Sequence, residues 1–129
     1  MTNNFYGNNK GVPELTYDNF EFNSLQKSPI ISSPYKGHQG MIMVYAPWCG
    51  HCANPELRNM YITLSKELKK HDIYLTAINS TKPENEPLVE TLGVQGFPTL
   101  MYFNKSGKLS EYKDSRDMES IIKHFIKNK

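Results

Sequence analysis

Two cysteines three positions apart form the most chemically specific feature of the sequence. Cys49 and Cys52 are the only cysteines in the 129 residues, and Gly50 and His51 lie between them. A secreted disulfide scaffold uses more cysteines, spread more widely along the chain, so this pair indicates one local site. Two thiols at this spacing can reach each other, which permits thiol–disulfide exchange through a reversible bond between them.

The cysteine pair lies where a buried strand is predicted to give way to a helix. Residues 41–46 are continuously apolar, as in a strand covered on both faces. We therefore expect Cys49 at a helix N-terminus, where backbone N–H groups and the helix dipole favour the thiolate. Gly50 permits the close approach of the two sulfurs, and a protonated His51 would add positive charge. The amphipathic helix is predicted from the spacing of Leu57, Met60, Tyr61, Leu64 and Leu68.

Other interpretations of the cysteine pair stay open at this point. The pair could form an inert disulfide, or it could consist of two buried thiols. A structural zinc site usually needs four ligands, and the sequence has neither a second pair of this kind nor a closely spaced pair of histidines. We therefore expect no metal, and a zinc or iron–sulfur cluster shared by two chains is the remaining metal alternative.

The order of the predicted elements indicates an α/β fold. Parallel βαβ units followed by a hairpin imply a central mixed β-sheet flanked by helices on both faces. We expect residues 1–11 to form a flexible N-terminal extension and residues 12–129 to form a single domain. The predicted elements are strands at 12–15, 41–46, 73–78, 99–103 and 108–112, helices following the cysteines and at 87–92 and 117–127, a helical turn near 20–25 and a loop at 27–40.

Four segments resemble the thioredoxin superfamily, and specifically its protein disulfide isomerase branch. They are YAPWCGHC at 45–52, GVQGFPTLMYF at 93–103, VPELTYDNF at 12–20 and EYKDSR at 111–116, and the similarity spans residues 12–127. The resemblance implies a thioredoxin fold and a thiol–disulfide oxidoreductase or isomerase that acts on protein substrates. It implies no cofactor beyond the redox-active disulfide between Cys49 and Cys52.

The resemblance also implies a role for each residue that matches the family pattern. Cys49 is expected to be the attacking thiolate and Cys52 the resolving thiol. Arg116 matches a family arginine that is thought to lower the pKa of the resolving cysteine.

The resemblance places three further residues beside the substrate. Trp48 is expected to shield the site, and Pro98 is expected to follow a cis peptide bond facing the disulfide. The backbone of Phe97 is expected to offer hydrogen bonds to an extended substrate segment.

Two residues depart from the family pattern. The family has a buried Asp or Glu six residues before the first cysteine, and this sequence has Met43 there. The usual partner lysine aligns with Ala77. Loss of both charges together avoids an isolated buried charge, and we expect it to slow the resolving step. The alternative function is therefore a thioredoxin-fold binding or chaperone module with weak turnover.

Composition limits the remaining classes of partner. A formal net charge of +2 is too small to indicate nucleic-acid binding, and no run reaches the ~18 apolar residues that a membrane span needs. Residues 1–10 lack the pattern of a signal peptide and the C-terminal residues do not form a retention signal, so we expect a cytoplasmic protein by default. The expected partners are protein thiols and disulfides, with a dedicated sulfhydryl oxidase or reductase as a further candidate; the oligomeric state is not indicated.

Overall fold

The computed structural model describes Tyr6 and residues 11–22 and 29–126. The strands of this part of the chain are β1 (Glu14–Leu15), β2 (Phe20–Glu21), β3 (Ile30–Ile31), β4 (Gln39–Tyr45), β5 (Ile73–Asn79), β6 (Thr99–Phe103) and β7 (Leu109–Glu111). Its helices are α1 (Pro55–Lys69), α2 (Glu86–Thr91) and α3 (Met118–Phe125).

Five strands form one mixed sheet in the order β1-β5-β4-β6-β7. Strands β1 and β4 run parallel to β5, whereas β6 is antiparallel to β4 and β7 is antiparallel to β6. The central strand β4 pairs Met43 with Ala77 of β5 on one side and with Leu100 of β6 on the other. The mixed sheet predicted from the order of the elements is therefore confirmed.

The side chains of β4 alternate between two hydrophobic clusters because successive residues of a strand point to opposite faces. Met41, Met43 and Tyr45 belong to one cluster, which also contains buried residues of α1 and α3. Ile42 and Val44 belong to the other cluster, together with Leu88 of α2 and residues of β2 and β3. Helices thus cover both faces of the sheet, as predicted.

Gly40, near the start of β4, allows three strands to pack closely. A Cβ at this position would lie 2.1 Å from the Tyr74 carbonyl oxygen and 2.3 Å from the ring of Phe103. Both distances are far shorter than van der Waals contact, so no larger residue fits without movement of the backbone.

The predicted helical turn near residues 20–25 is wrong for Phe20–Glu21. These residues form β2, which pairs antiparallel with β3, and residues 23–28 lie outside the described part of the chain. Phe20 and Ile31 are buried in one cluster, so tertiary packing outweighs the local helical pattern. Strand β3 and the first residues of β4 likewise occupy part of the loop predicted at 27–40.

Tyr6 departs from the flexible extension predicted for residues 1–11. Its side chain is completely buried, and its ring makes edge contacts with Tyr45 and Tyr61 at centroid distances of 5.4 and 5.6 Å. Burial of a tyrosine ring removes a large apolar surface from water, which stabilises the position of Tyr6 against the core. Residues 1–5 and 7–10, to which the prediction also applies, lie outside the described part.

Within the described ranges, each helix is too short or too polar to cross a lipid bilayer.

Candidate active site

Both cysteines lie in the turn that joins β4 to α1. The Cys49 N–H donates to the Ala46 carbonyl at 3.0 Å, and the Ala53 N–H donates to the Cys49 carbonyl at 2.9 Å. Helix α1 begins only at Pro55, and the Asn54 side chain caps it by accepting a hydrogen bond from the Glu56 N–H at 2.8 Å.

The expectation that the cysteines occupy the first helical turn is therefore wrong by a few residues. Proline is favoured at the first helical position because it has no N–H to lose there, and asparagine is a favourable N-cap. The sequence Asn54-Pro55 consequently sets the start of α1 after Cys52, although backbone N–H groups still point at the first sulfur.

The two thiols are unlinked in the structure and lie in different environments. Cys49 is partly exposed, whereas Cys52 is completely buried. The backbone N–H of Cys52 is the main cause of a lowered pKa at Cys49, with further contributions from the Cys52 thiol and the His51 backbone N–H. Burial raises the pKa of Cys52 to about 11. At neutral pH, Cys49 is therefore the thiol that ionises more readily.

His51 contributes to this difference in a way that the sequence did not indicate. Its side chain is exposed, and its effect on the pKa of Cys49 comes from its backbone N–H. The positive charge expected from the imidazole is not among the causes of the lowered pKa.

The loop before β6 lies against the first sulfur. The Cys49 thiol donates to the Phe97 carbonyl oxygen, 3.6 Å away, and the Phe97–Pro98 peptide bond is cis. The Arg116 guanidinium donates to the Pro98 carbonyl at 3.3 Å. The positive charge of Arg116 also lowers the pKa of Cys52, although burial outweighs this effect.

An exposed aromatic surface adjoins the cysteines. Trp48 is 74% exposed, and its ring makes an edge contact with Phe97 at a centroid distance of 6.0 Å. A groove with a volume of about 430 Å³ begins at these two rings. Its lining consists of Trp48, Ser80, Thr81, Glu86, Val89, Glu90 and Phe97. The groove therefore combines apolar rings with two carboxylates.

A half-buried acid that sequence reasoning missed lies beside two buried residues of the central sheet. Met43 and Ala77 are both fully buried and are register partners on β4 and β5. Glu14 of β1 pairs with Ala77 on its other side. The Glu14 carboxylate accepts hydrogen bonds from the Tyr45 hydroxyl at 2.5 Å and from the Tyr6 N–H at 3.1 Å.

One signal in the sequence could have identified this acid. Glu14 is a charged residue between apolar ones in the predicted strand 12–15, and a charged side chain there needs a buried partner or an exposed face. The identity of that partner depends on the register between β1 and β5, which no local pattern supplies.

Over Tyr6 and residues 11–22 and 29–126, no three His, Cys, Asp or Glu side chains are grouped so that they could hold a metal ion.

The chain is similar to proteins named protein disulfide-isomerase. The chain is 37% identical over 119 residues to a protein disulfide-isomerase of Triticum aestivum, a match that covers 90% of this chain and 21% of that protein. It is 34% identical over 114 residues to protein disulfide-isomerase A6 of Mus musculus, covering 88% of this chain and 23% of that protein. The chain thus spans less than a quarter of the length of either relative.

A solved structure and a family profile extend the comparison to the fold. The first thioredoxin domain of mouse protein disulfide-isomerase A4 superposes with a TM-score of 0.68 at 27% identity, covering 92% of this chain and 75% of that one. The thioredoxin family profile matches residues 14–127. This chain therefore belongs to the thioredoxin family.

Proposed function

We propose that the chain is a thiol–disulfide oxidoreductase of the protein disulfide isomerase type, acting on protein substrates through Cys49 and Cys52. The observation that carries this proposal is the opposite displacement of the two thiol pKa values, lowered at Cys49 and raised to about 11 at Cys52. The thiolate is the nucleophile in disulfide exchange, so the two sulfurs receive different roles.

The proposed reaction proceeds in two exchanges. The Cys49 thiolate attacks one sulfur of a substrate disulfide, forming a mixed disulfide and releasing the other substrate sulfur as a thiolate. Cys52 then loses its proton and attacks the Cys49 sulfur, which forms the Cys49–Cys52 disulfide and releases the second substrate thiolate. The substrate gains two electrons and the protein dithiol loses two; the reverse sequence introduces a disulfide. No cofactor is needed, because the redox-active group is the cysteine pair itself.

The surface around Cys49 supports binding of an extended substrate segment. The groove that begins at Trp48 and Phe97 offers apolar contact beside the sulfur, and extended peptides commonly bind through backbone hydrogen bonds. The Phe97 carbonyl already accepts a bond from the Cys49 thiol, so it lies within reach of a group attached to that sulfur. We assign Trp48, Phe97 and Pro98 to the substrate side of the site.

The redox partner belongs to the proposal as well. A protein that oxidises substrates needs an oxidant to regenerate its disulfide, and one that reduces them needs a reductant. The candidates are a dedicated sulfhydryl oxidase and a thiol-based reductase.

The proposal is tested by the reduction potential of the Cys49–Cys52 couple and by turnover. Family isomerases lie near −180 mV and thioredoxins near −270 mV, and stabilisation of the Cys49 thiolate favours the less reducing value. We expect equilibrium with a glutathione buffer to yield a potential well above about −270 mV. The wild type should also catalyse reduction of insulin disulfides and refolding of scrambled ribonuclease.

Two variants provide matched controls for these assays. Cys49→Ser should be inactive, whereas Cys52→Ser should accumulate mixed disulfides with substrate because it lacks the resolving thiol. A strongly reducing couple would exclude the isomerase type. Absence of turnover by the wild type would favour the binding-module alternative.

A further inference from the structure

The exchange reaction requires a group that accepts the proton of the resolving thiol. Cys52 is completely buried and its pKa is raised to about 11, so at neutral pH it carries a proton that must leave before the sulfur can attack. General acid–base groups within the protein accelerate such steps, because a buried site has no direct access to solvent water. Met43 occupies the position of the family's buried acid, and its side chain cannot accept this proton.

The structure has a carboxylate in the same layer, supplied by a different strand. Glu14, Ala77 and Met43 form a row across β1, β5 and β4. Residues paired across neighbouring strands point to the same face, here the face covered by α1. The hydroxyl of Tyr45, on β4, donates a hydrogen bond to this carboxylate, so the two side chains meet across β5.

The two oxygens of this carboxylate differ. Oε2 accepts the hydrogen bonds from the Tyr45 hydroxyl and the Tyr6 N–H. Oε1 is buried and has no hydrogen-bond partner among the described residues. Oε1 is therefore the oxygen that can take up a proton without losing an existing hydrogen bond.

Tyr6 connects the carboxylate to the cysteine layer. Its backbone N–H binds Glu14, and its hydroxyl donates to the Met43 sulfur at 3.1 Å. Tyr6, Met43, Tyr45 and Cys52 belong to one buried cluster. Burial is the main cause of the raised pKa of Tyr6, and the charges of Cys52 and Glu14 both add to it, so the two groups act on the same hydroxyl.

Other charged and titratable groups face the same layer. Burial raises the pKa values of Tyr6, Tyr45 and Tyr61. The charge of Arg58, on α1, lowers those of Tyr6 and Tyr45, and Tyr6 adds to the rise at Tyr61, also on α1. Besides burial, Cys49 raises the pKa of Cys52 and the charge of Arg116 lowers it. Glu14 is the carboxylate among these groups.

We propose that Glu14, held by Tyr45 and Tyr6, is the internal proton acceptor that allows Cys52 to resolve the mixed disulfide. As Cys52 attacks the Cys49 sulfur, its proton passes to the Glu14 carboxylate; the new S–S bond forms, and the bond from Cys49 to the substrate sulfur breaks with its electron pair. In the reverse direction, Glu14 returns the proton to the Cys52 sulfur. The inference rests on the proposed function.

The two exchanges can be timed separately with the full chain and Ellman's reagent. Attack of Cys49 on this aromatic disulfide releases one thionitrobenzoate anion, and attack of Cys52 releases the second. We expect Glu14→Gln to leave the first phase unchanged and to slow the second about 100-fold near neutral pH. The slowed phase should recover as pH rises, because hydroxide then removes the Cys52 proton. A purely structural role would not alter the pH profile in this way.

Rescue and control variants sharpen the test. Glu14→Gln combined with Met43→Glu returns a carboxylate to β4 and should restore the second phase to within about tenfold of the wild type. Glu67→Gln removes an exposed carboxylate of α1 and should change neither phase. Should Glu14→Gln fail to fold, Glu14→Asp keeps the charge but shortens its reach, and the second phase is again expected to slow.

The outcomes separate this inference from the proposed function. If the wild type shows two phases and Glu14→Gln leaves the second phase unchanged, Glu14 is not the proton acceptor, and the proposed oxidoreductase activity still stands. The same conclusion applies to Glu14→Asp if only that variant folds. A wild type without a first phase would instead remove the proposed function.

Discussion

The sulfur atoms of Cys49 and Cys52 differ because of backbone geometry and burial. Cys49 faces N–H groups of the turn that follows it, and these donors stabilise its thiolate. Cys52 points into the core, where a charge is poorly solvated. The division of labour proposed for the two residues follows from this difference in surroundings and needs no external activator.

The role of His51 gives a prediction at the scale of one residue. Its backbone N–H, and not its imidazole, contributes to the lowered pKa of Cys49. We therefore expect His51→Pro, which removes the N–H, to raise this pKa more than His51→Ala, which keeps it. The measurement is the pH dependence of Cys49 alkylation in the two variants. An equal or larger rise in His51→Ala would show that the imidazole charge is the more important contribution.

Strand β4 is the element that carries the site, because it leads directly into the turn with both cysteines. Its position in the centre of the sheet fixes Cys49 relative to the loop that ends at Pro98, since β4 pairs with β6. Helix α1 then starts at Pro55 and covers the buried face. Pairing of β4 with β6 thus places the Cys49 sulfur beside the Phe97 carbonyl.

Two glycines near the ends of this segment differ in what a side chain would meet. A Cβ at Gly40 would collide with the Tyr74 carbonyl and the Phe103 ring, whereas a Cβ at Gly50 meets nothing within 4 Å. We expect Gly40→Ala to lower the free energy of unfolding by about 3 kcal/mol. Gly50→Ala should change it by less than about 0.5 kcal/mol.

Urea unfolding of the reduced protein measures both values, and Gly50→Ala serves as the matched control. A loss in Gly40→Ala no larger than that in Gly50→Ala would contradict the close packing of β4 against β5 and β6.

On the scale of the whole molecule, most strands and helices follow from the sequence, including the short β1, α2 and β7, whereas β2 and β3 do not. Continuous apolar runs predicted β4 and β5, and 3.6-residue periodicity predicted α1. The two-residue strands β2 and β3 pair with each other, and Ile30 of β3 also bridges Lys108, so distant contacts and no local pattern define them. The alternation of β4 between two clusters follows once the sheet has helices on both faces.

The same distinction applies to the site. The cysteine pair and the segment at Phe97–Pro98 are local motifs, and the sequence alone marks them. Burial of Tyr6 and the hydrogen bond between Tyr45 and Glu14 depend on contacts between distant parts of the chain, so they become visible only in three dimensions.

The surface charge around the site predicts a substrate preference. Glu86 and Glu90 line the groove beside Trp48, so a peptide with a lysine next to its disulfide should associate faster than one with a glutamate there. We expect a difference of about tenfold at low ionic strength that narrows as salt is added. The measurement is the rate of mixed-disulfide formation with the two peptides.

A double variant tests the origin of this preference. Glu86→Gln combined with Glu90→Gln should remove the difference between the peptides, whereas Glu67→Gln, on the exposed part of α1, should retain it. Persistence of the preference in the double variant would place its origin elsewhere than in the groove.

A titration of the two thiols in the reduced protein tests most directly whether Cys49 is the attacking thiolate and Cys52 the resolving thiol. Alkylation rates measured against pH, with the modified residue identified by mass spectrometry, report each thiol separately. The thiolate is the form that reacts with the alkylating reagent. With a lowered pKa, Cys49 therefore continues to be alkylated at pH values below the pKa of free cysteine, which is about 8.5. Its alkylation rate falls only as the pH drops through its own pKa. We predict this behaviour for Cys49, while Cys52 stays unmodified until the pH approaches about 11. A Cys49 that ionises no more readily than free cysteine, or a Cys52 that reacts first, would contradict the account.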